Sequence, residues 1–570
     1  MPTVLAVIVV IVAVLIVGIF LASLLLAVTE IKVPWERLAP VGAPFRGLGK
    51  RAATVRIARP GSPVATAPAA EPNEAPAAAA EQEPVEAEFT PVPVAAAHRP
   101  AGPSAAQTAS QAAAVAAAPG GAKVVDQSGA NGAFTTVGAA IQAAAPGETI
   151  AVQPGTYAEA LTIAKPVVLQ GAGEMGSVVL TATRQPVVQV TGGEVWLVNL
   201  RFQQKSGKDS RCVGVAGGRL SVEGCDISSE TGAGLETDSG GELYARDCHI
   251  HDASTGVAVS DGSSATVVGC EISDCLVGVG ARPGSRLTLQ HSTVRDAAVF
   301  GVAIAGVGER LLEDNTLSDR VSLSGQGKAT LRHNKLVDGT LSFSEHSGGL
   351  VEENDITGSS LPHVTIQGGA DPTIRHNHIH GGRRALSDYG AGITVEENGA
   401  GMIVDNDITE IEGAGIETRD GGNPTAMQNR IQGTAIGIHV QAGGAGTFQD
   451  NDITACTNIA VLVEGDSNAT LIGNRIHDNS HTGIGVRNGA TALIEDNQIT
   501  ANARAGVAIQ SAHDPVIRHN KITGNGVAGI AIVDATAATI EANDLRGNDG
   551  PPVYLPDDAR SLVTQRDNQT

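Results

Sequence analysis

The sequence predicts an all-β solenoid, a right-handed parallel β-helix, and three observations carry that expectation. The first is a recurring phrase of Asn, any residue, then Ile or Leu. It appears as Asn429-Arg430-Ile431, Asn474-Arg475-Ile476, Asn497-Gln498-Ile499, Asn520-Lys521-Ile522 and Asn543-Asp544-Leu545. With Asn451 in the series, the steps from Asn429 are 22, 23, 23, 23 and 23 residues. Upstream the series runs through Asn315, Asn334, Asn354, Asn377 and Asn406, and before them Ser292, Cys270, Cys248 and Cys225 take the Asn place. A fixed period in this range marks stacked coils. The second observation is composition: 70 Gly and 2% aromatic residues suit short strands and tight turns better than a globular α/β core. The third is a period-two alternation inside each repeat, which marks strands.

Taken in order, the chain opens with a nearly unbroken apolar run at residues 4–28. That run is long enough to cross a bilayer as one helix. No Lys or Arg precedes it and no small-residue cleavage site follows, so an uncleaved anchor is expected rather than a removed signal. Residues 29–59 carry seven basic side chains against Glu30 and Glu36, and the positive-inside rule places this flank in the cytoplasm. Residues 60–122 are rich in Ala and Pro, with six Glu between Glu71 and Glu88, and read as a disordered linker. The β-helix is expected over 123–550 and a C-terminal tail over 551–570.

The folded part should begin near Lys123. Phe134, Val137, Ile141 and Ala145 have helical spacing before Pro146-Gly147, so an N-terminal helix is expected to cap the open first coil. Strands are expected at 149–152 and 161–163, separated by the turn from Gln153 to Tyr157.

One later coil serves for the rest. Its first strand lies about fourteen residues before the Asn, as in Gly483-Ile484-Gly485-Val486-Arg487, with Ile484 and Val486 inward. A second strand, Ala492-Leu493-Ile494-Glu495, precedes the Asn, and a third starts at the Asn-x-Ile phrase. Some fifteen coils stacked ~4.8 Å apart would form a rod on the order of 70 Å long.

The Asn is explained by side-chain hydrogen bonds to the backbone and to the Asn of the next coil. A second Asn follows five residues later in several coils: Asn479, Asn502, Asn525 and Asn548, with Cys275 and Cys456 in the same place. Five of six cysteines thus sit at ladder positions; small buried thiols are the expectation, although neighbours in such a ladder approach disulfide range. Asp407, Arg430, Asp452 and Arg475 alternate in sign after the Asn and read as a surface charge ladder. His376, His378 and His380 suggest a metal at first sight. His333 and His519 fill the place of His376 in other coils, however, and His251 and His477 that of His380, so a repeat feature is preferred. No metal or other cofactor is expected.

Net charge is −22, and residues 123–570 supply the excess with 30 basic against 52 acidic side chains. With no basic stripe, nucleic acid is excluded as an expected partner. Length variation between coils falls before the first strand. The coil at Asn377 is longest there, with an insertion at 381–389 containing Arg383, Arg384, Asp388 and Tyr389. Insertions on a solenoid mark its binding face. The outward positions of nearby first strands include Glu396, Glu417, Arg419 and His439, whereas flanking coils offer Ala303, Ala305, Ala508 and Ala531. Glu417, Arg419, His439, Asp388 and Tyr389 are therefore the candidate catalytic residues, and Arg383, Arg384 and Glu396 the candidate binding residues.

The Asn-Asp-Ile-Thr phrases at Asn354 and Asn451 resemble the coils of the carbohydrate-binding and sugar-hydrolase β-helices of the pectin-lyase-like superfamily. The segment from Phe134-Thr135-Thr136-Val137 through Pro154-Gly155-Thr156-Tyr157 to Leu169-Gln170-Gly171-Ala172-Gly173 is similar to the first coil of pectin methylesterases. The resemblance spans roughly 123–550 and implies the fold. It implies polysaccharide binding or modification, or a protein-binding scaffold. The Asp-Phe-Ile-Phe-Gly and Gly-Arg-Pro-Trp of pectinesterases and the Asp-Pro-His-Glu of alginate epimerases are absent. So are the paired Asp of polygalacturonases and the Arg-x-Pro-x-x-Arg of pectate lyases. No catalytic residue is carried over. The leading expectation is a membrane-anchored recognition module for a glycan or protein along its first-strand face. The alternatives are a polysaccharide lyase, hydrolase or epimerase, and a structural rod. Orientation is contested, because the basic flank favours the cytoplasm and polysaccharide partners favour the outside.

Overall fold

The computed structural model describes residues 122–206, 211–360, 362–383 and 390–570. The expected anchor at 4–28, the basic segment at 29–59 and, apart from Ala122, the linker at 60–122 lie outside the described residues. Among the described residues no helix is long and apolar enough to cross a membrane.

Three long parallel sheets make up the described fold, and a complete coil gives one strand to each sheet. In the coil read above, the strands are Ile484–Arg487, Thr491–Glu495 and Gln498–Thr500. They pair in parallel with Val507–Gln510, Val516–Arg518 and Lys521–Thr523 of the next coil. Among the described residues the sheets formed by first, second and third strands hold 18, 20 and 17 strands, more coils than the period alone suggested. A parallel strand needs a crossover before it can pair with its predecessor. Here the crossover is the rest of the coil, so every backbone ladder closes between neighbours about 23 residues apart.

The interior is a set of apolar stacks. Ile431, Ile453, Ile476, Ile499 and Ile522, from the Asn-x-Ile phrase, are fully buried and lie in register. Aligning like side chains lets each coil bury its apolar edge on the next, which a single coil cannot do alone.

Beside that stack runs the Asn ladder. Asn451 accepts at Oδ1 from the Asn429 backbone N–H at 3.0 Å and from Asn429 Nδ2 at 2.9 Å. It donates from Nδ2 to the Ala426 carbonyl and to Asn474 Oδ1, both at 3.0 Å. The pattern persists where neighbouring Asn are 19 residues apart, as in Asn315 and Asn334, and where they are 29 apart, as in Asn377 and Asn406. The ladder therefore fixes the corner of the coil while length differences are absorbed elsewhere. A second ladder runs through Cys456, Asn479, Asn502, Asn525 and Asn548.

Two expectations need correction. The segment 551–570 is not a tail but a final coil. Val553–Tyr554 pairs with Ile530–Ile532, Val563–Arg566 pairs with Ala538–Glu541, and Asn568 extends the ladder by accepting from Asn543. The amino-terminal helix spans Val137–Ala143, shorter than its apolar spacing suggested. Thr136 caps it by accepting from the Ala139 N–H, and Glu159 accepts from the N–H groups of Val137 and Gly138. Phe134 bridges to Val125 instead of joining the helix. All six cysteines are buried free thiols.

Candidate functional site

The polar run expected on the first-strand face is a lateral network. Pairing places Thr394, Glu417, His439 and Leu462 side by side on successive coils. One residue beyond the paired strands, Arg419 reaches Glu396 Oε2 through Nε at 2.7 Å and Nη2 at 2.6 Å. Gln441 Nε2 donates to Glu417 Oε1 at 2.6 Å, and the same oxygen lies 3.8 Å from His439 Nδ1. On its other side, His439 Nε2 lies 3.0 Å from Glu464 Oε1, and Arg487 Nε donates to Glu464 Oε2 at 2.7 Å. An imidazole thus stands between two carboxylates, Arg487 closes the series beyond Glu464, and Arg419, on the coil of Glu417, pairs with Glu396 of the coil before.

Strand alternation puts Glu417 and His439 on the outer side of the sheet, yet Glu417 is fully buried and His439 only 3% exposed. The segments leading into the first strands account for part of this. Glu412, Gly413, Ala435 and Ile436 wall a cleft whose floor is Glu417 and His439. Its volume is about 40 Å³, room for a few water molecules and far below the few hundred Å³ of a ligand pocket. Among the described residues, then, the exposed chemistry belongs to the rim, where the side chains of Arg419 and Arg487 keep 32% and 40% of their surface.

Burial alone would lower the Arg419 pKa. The hydrogen bond and charge of Glu396, with Glu417 and Asp420 nearby, outweigh it and raise the value. Burial works against ionisation of Glu464, but hydrogen bonds from Arg487 and His439 hold its carboxyl below the usual range. The rim is therefore built of fixed ion pairs. Charged groups held by neighbours at both sides present oriented hydrogen-bond donors and acceptors with little left to reorganise.

The structure brings together Glu396, Glu417, Arg419 and His439 from the sequence-derived candidates. Arg383 closes the strand His378–Arg383, its backbone opposite Ser360. Arg384, Asp388 and Tyr389 lie outside the described residues. Sequence reasoning missed Glu412, because it followed outward positions along the strands and not the segment before them. The three histidines near the insertion also part company. His376 turns to Asp405 at 3.1 Å, whereas the rings of His378 and His380 stack with centroids 4.0 Å apart. Three groups of described residues bring three potential ligand atoms within 4.8 Å of one another: Asp226, His249 and His251; Asp355, His378 and His380; and Glu313, Asp314 and His333.

Parallel coils, three sheets and an internal Asn ladder define a right-handed parallel β-helix. The chain belongs to the family described as right handed beta helix region, which it matches over residues 191–336, 319–458 and 428–569. No curated protein matches it. Among solved structures it is similar to the A-module of the mannuronan C-5 epimerase AlgE6 of Azotobacter vinelandii. That match has 15% identity and a TM-score of 0.21, and covers 76% of this chain and 93% of that one. It is also similar to the pectin methylesterase of Aspergillus niger, with 16% identity, a TM-score of 0.27, and 48% and 88% covered. A third similarity is to the periplasmic alginate epimerase AlgG, with 12% identity, a TM-score of 0.25, and 73% and 78% covered. These likenesses concern the fold, and the activities named are those of the other proteins.

Proposed function

We propose that the protein is a membrane-tethered recognition module whose first-strand face binds a glycan across the coils from Glu396 to Arg487. One observation carries this reading: the ion-paired series Glu396–Arg419, Glu417–His439–Glu464 and Arg487 lies on consecutive coils of one face. Coils repeat every ~4.8 Å, so such a face offers evenly spaced donors and acceptors to a chain of sugar hydroxyls. The small cleft favours docking on the rim, with Glu417 and His439 as positioning groups beneath Arg419, Gln441 and Glu464. In this reading the apolar run at 4–28 is the anchor and the 60–122 segment a spacer. In the same reading the amino-terminal helix, whose Val137, Ala140 and Ile141 are buried, serves as the cap of the first coil.

A second reading, a polysaccharide-modifying enzyme, is favoured by the contact of His439 with two carboxylates, a geometry that can pass a proton. Titrating the full-length protein against neutral and uronic oligosaccharides, while assaying the same sugars for cleavage or epimerisation, tests both. Recognition predicts saturable binding that Arg419→Ala and Arg487→Ala each weaken by about tenfold or more, ~1.4 kcal/mol, with the sugar unchanged. Turnover abolished by Glu417→Gln would establish the enzyme reading instead. Absence of binding to every sugar tried would remove the glycan.

A further inference from the structure

The third-strand face carries a motif that occurs twice and that the proposed glycan surface does not use. In each instance a strand presents His-Ile-His with the Ile inward, and the preceding coil sets an Asp beside the first His. The instances are Asp226 with His249 and His251, and Asp355 with His378 and His380. In both, the first His turns Nδ1 to the Asp carboxylate at 3.7 Å and the second turns Nε2 to it, at 3.3 Å in the first instance and 2.8 Å in the second. The same two nitrogens are therefore used 129 residues apart, and both ring pairs stack, at 4.3 Å and 4.0 Å.

We propose that Asp355, His378 and His380 form a binding site for a divalent first-row transition ion that accepts nitrogen and oxygen donors. Two imidazoles and a carboxylate converging from one side make a three-ligand set with open positions, a donor arrangement used by zinc and by non-haem iron. Donor atoms within 4.8 Å of one another suit a metal about 2 Å from each. The outer contacts agree. With Nδ1 of His378 toward the site, its Nε2 faces Thr409 Oγ1 at 3.4 Å and Asp407 Oδ2 at 4.0 Å. A carboxylate or hydroxyl behind a ligating His fixes its tautomer and ring orientation.

The first instance explains why both are not metal sites. Arg201 donates from Nε and Nη2 to the two oxygens of Asp226, each at 3.0 Å. That guanidinium neutralises the carboxylate and occupies its lone pairs, so a protein cation already fills the role. Among the described residues Asp355 makes ion pairs only with His378 and His380. His376 and His380 each recur singly in other coils, as His333 and His519 or His251 and His477. The complete set needs His at both outward positions and Asp one coil earlier. In the coil at Asn474, Arg475 replaces the first His, and the set is broken.

The test is calorimetric titration of the full-length, chelator-stripped protein with Zn²⁺, alongside the visible absorption of its Co²⁺ complex. One strong equivalent is expected. His378→Ala and His380→Ala should each weaken it by at least about tenfold, since even outer-contact changes have that effect. His249→Ala should leave it unaltered, and Arg201→Ala should add a second equivalent. The three histidine-to-alanine variants replace surface side chains, and their unfolding midpoints in chelator should match the parent. Asp355→Asn, nearly isosteric, serves as the independent variant. No binding, binding insensitive to His380→Ala, or equal loss with His249→Ala would overturn the assignment.

Discussion

The two halves of the solenoid solve the same corner with different atoms. From Asn315 to Asn568 the corner is an amide ladder, in which each Oδ1 from Asn334 onward accepts twice from the Asn of the coil before and each Nδ2 donates to a carbonyl across the coil. From Cys225 to Cys270 the corner is a thiol. Cys248 Sγ lies 3.5 Å from the Val222 carbonyl and 3.2 Å from that of Arg246. Ser292 joins the two regimes, accepting at Oγ from the Cys270 N–H and donating its own N–H to Asn315 Oδ1. An amide supplies two donors and a strong acceptor, whereas a thiol supplies one weak donor and a weak acceptor. The same backbone corner persists on either, which teaches that apolar stacking sets the coil and the ladder adds local stability and register.

The largest expected effect of that difference is at Asn451. Asn451→Ala removes the acceptor of the Asn429 N–H and one Asn429 Nδ2 bond, and strips the donor to the Ala426 carbonyl. Each buried group left unpaired costs about 1–3 kcal/mol. A loss of ~4 kcal/mol is expected in the unfolding transition that contains this coil, read by urea denaturation. A change under about 1 kcal/mol would mean that the amide ladder adds nothing beyond the thiol one.

The thiol half has a different polar fastening, the Arg201–Asp226 pair. Burial alone would raise the Asp226 pKa, but hydrogen bonds from His251 and Arg201 hold it far below the usual carboxylate range. The folded value lies below the unfolded value of about 3.9. The stabilisation is therefore complete above roughly pH 4 and is lost as pH falls through that range toward the folded value. Asp226→Asn should lower stability by ~2 kcal/mol at pH 7, as expected for a partly buried charged pair. The gap between variant and parent should close below pH ~4 when midpoints are followed by circular dichroism. A gap that stays constant with pH would assign the effect to packing.

How far this was legible in the sequence depends on which neighbour sets the outcome. The Asn-x-Ile phrase exposes the coil because its determinants are local: an inward Ile and a ladder amide repeat in every turn. Asn568 escaped because Thr570 stands where Ile is expected, although the amide still caps Asn543. Lateral pairs such as Asp407 beside Arg430 follow from the constant register. Burial of Glu417 and His439 did not, because alternation tells which side of a sheet a residue takes and not what lies over it. Glu412, part of that cover, belongs to the variable segment before the strand, where the period carries no information. The distinction between His376 and the stacked pair His378–His380 was also hidden, because it depends on the left-handed corner at His376, with φ of 54°.

The smallest expected effect sharpens the comparison by its near absence. Burial pushes the Cys275 and Cys456 thiols up to about 11. Hydrogen bonding from Cys225 and burial raise Cys248 further. At pH 8 a thiol with that value is about one part in a thousand thiolate, the reactive form. Native protein mixed with a water-soluble maleimide at pH 8 should therefore show almost no labelling over minutes, and six labels per chain once unfolded in guanidinium. Cys248→Ala should cost only about 1 kcal/mol, since it removes weak bonds and one sulfur atom from a packed stack. Labelling confined to Cys225, Cys248 and Cys270 in native protein, with Cys456 protected, would show that the thiol half opens on its own. Solenoids permit such partial opening, because each coil is held only by its neighbours. Uniform protection would instead mean that apolar stacking alone locks both halves equally, and the amide ladder would then serve register more than local stability.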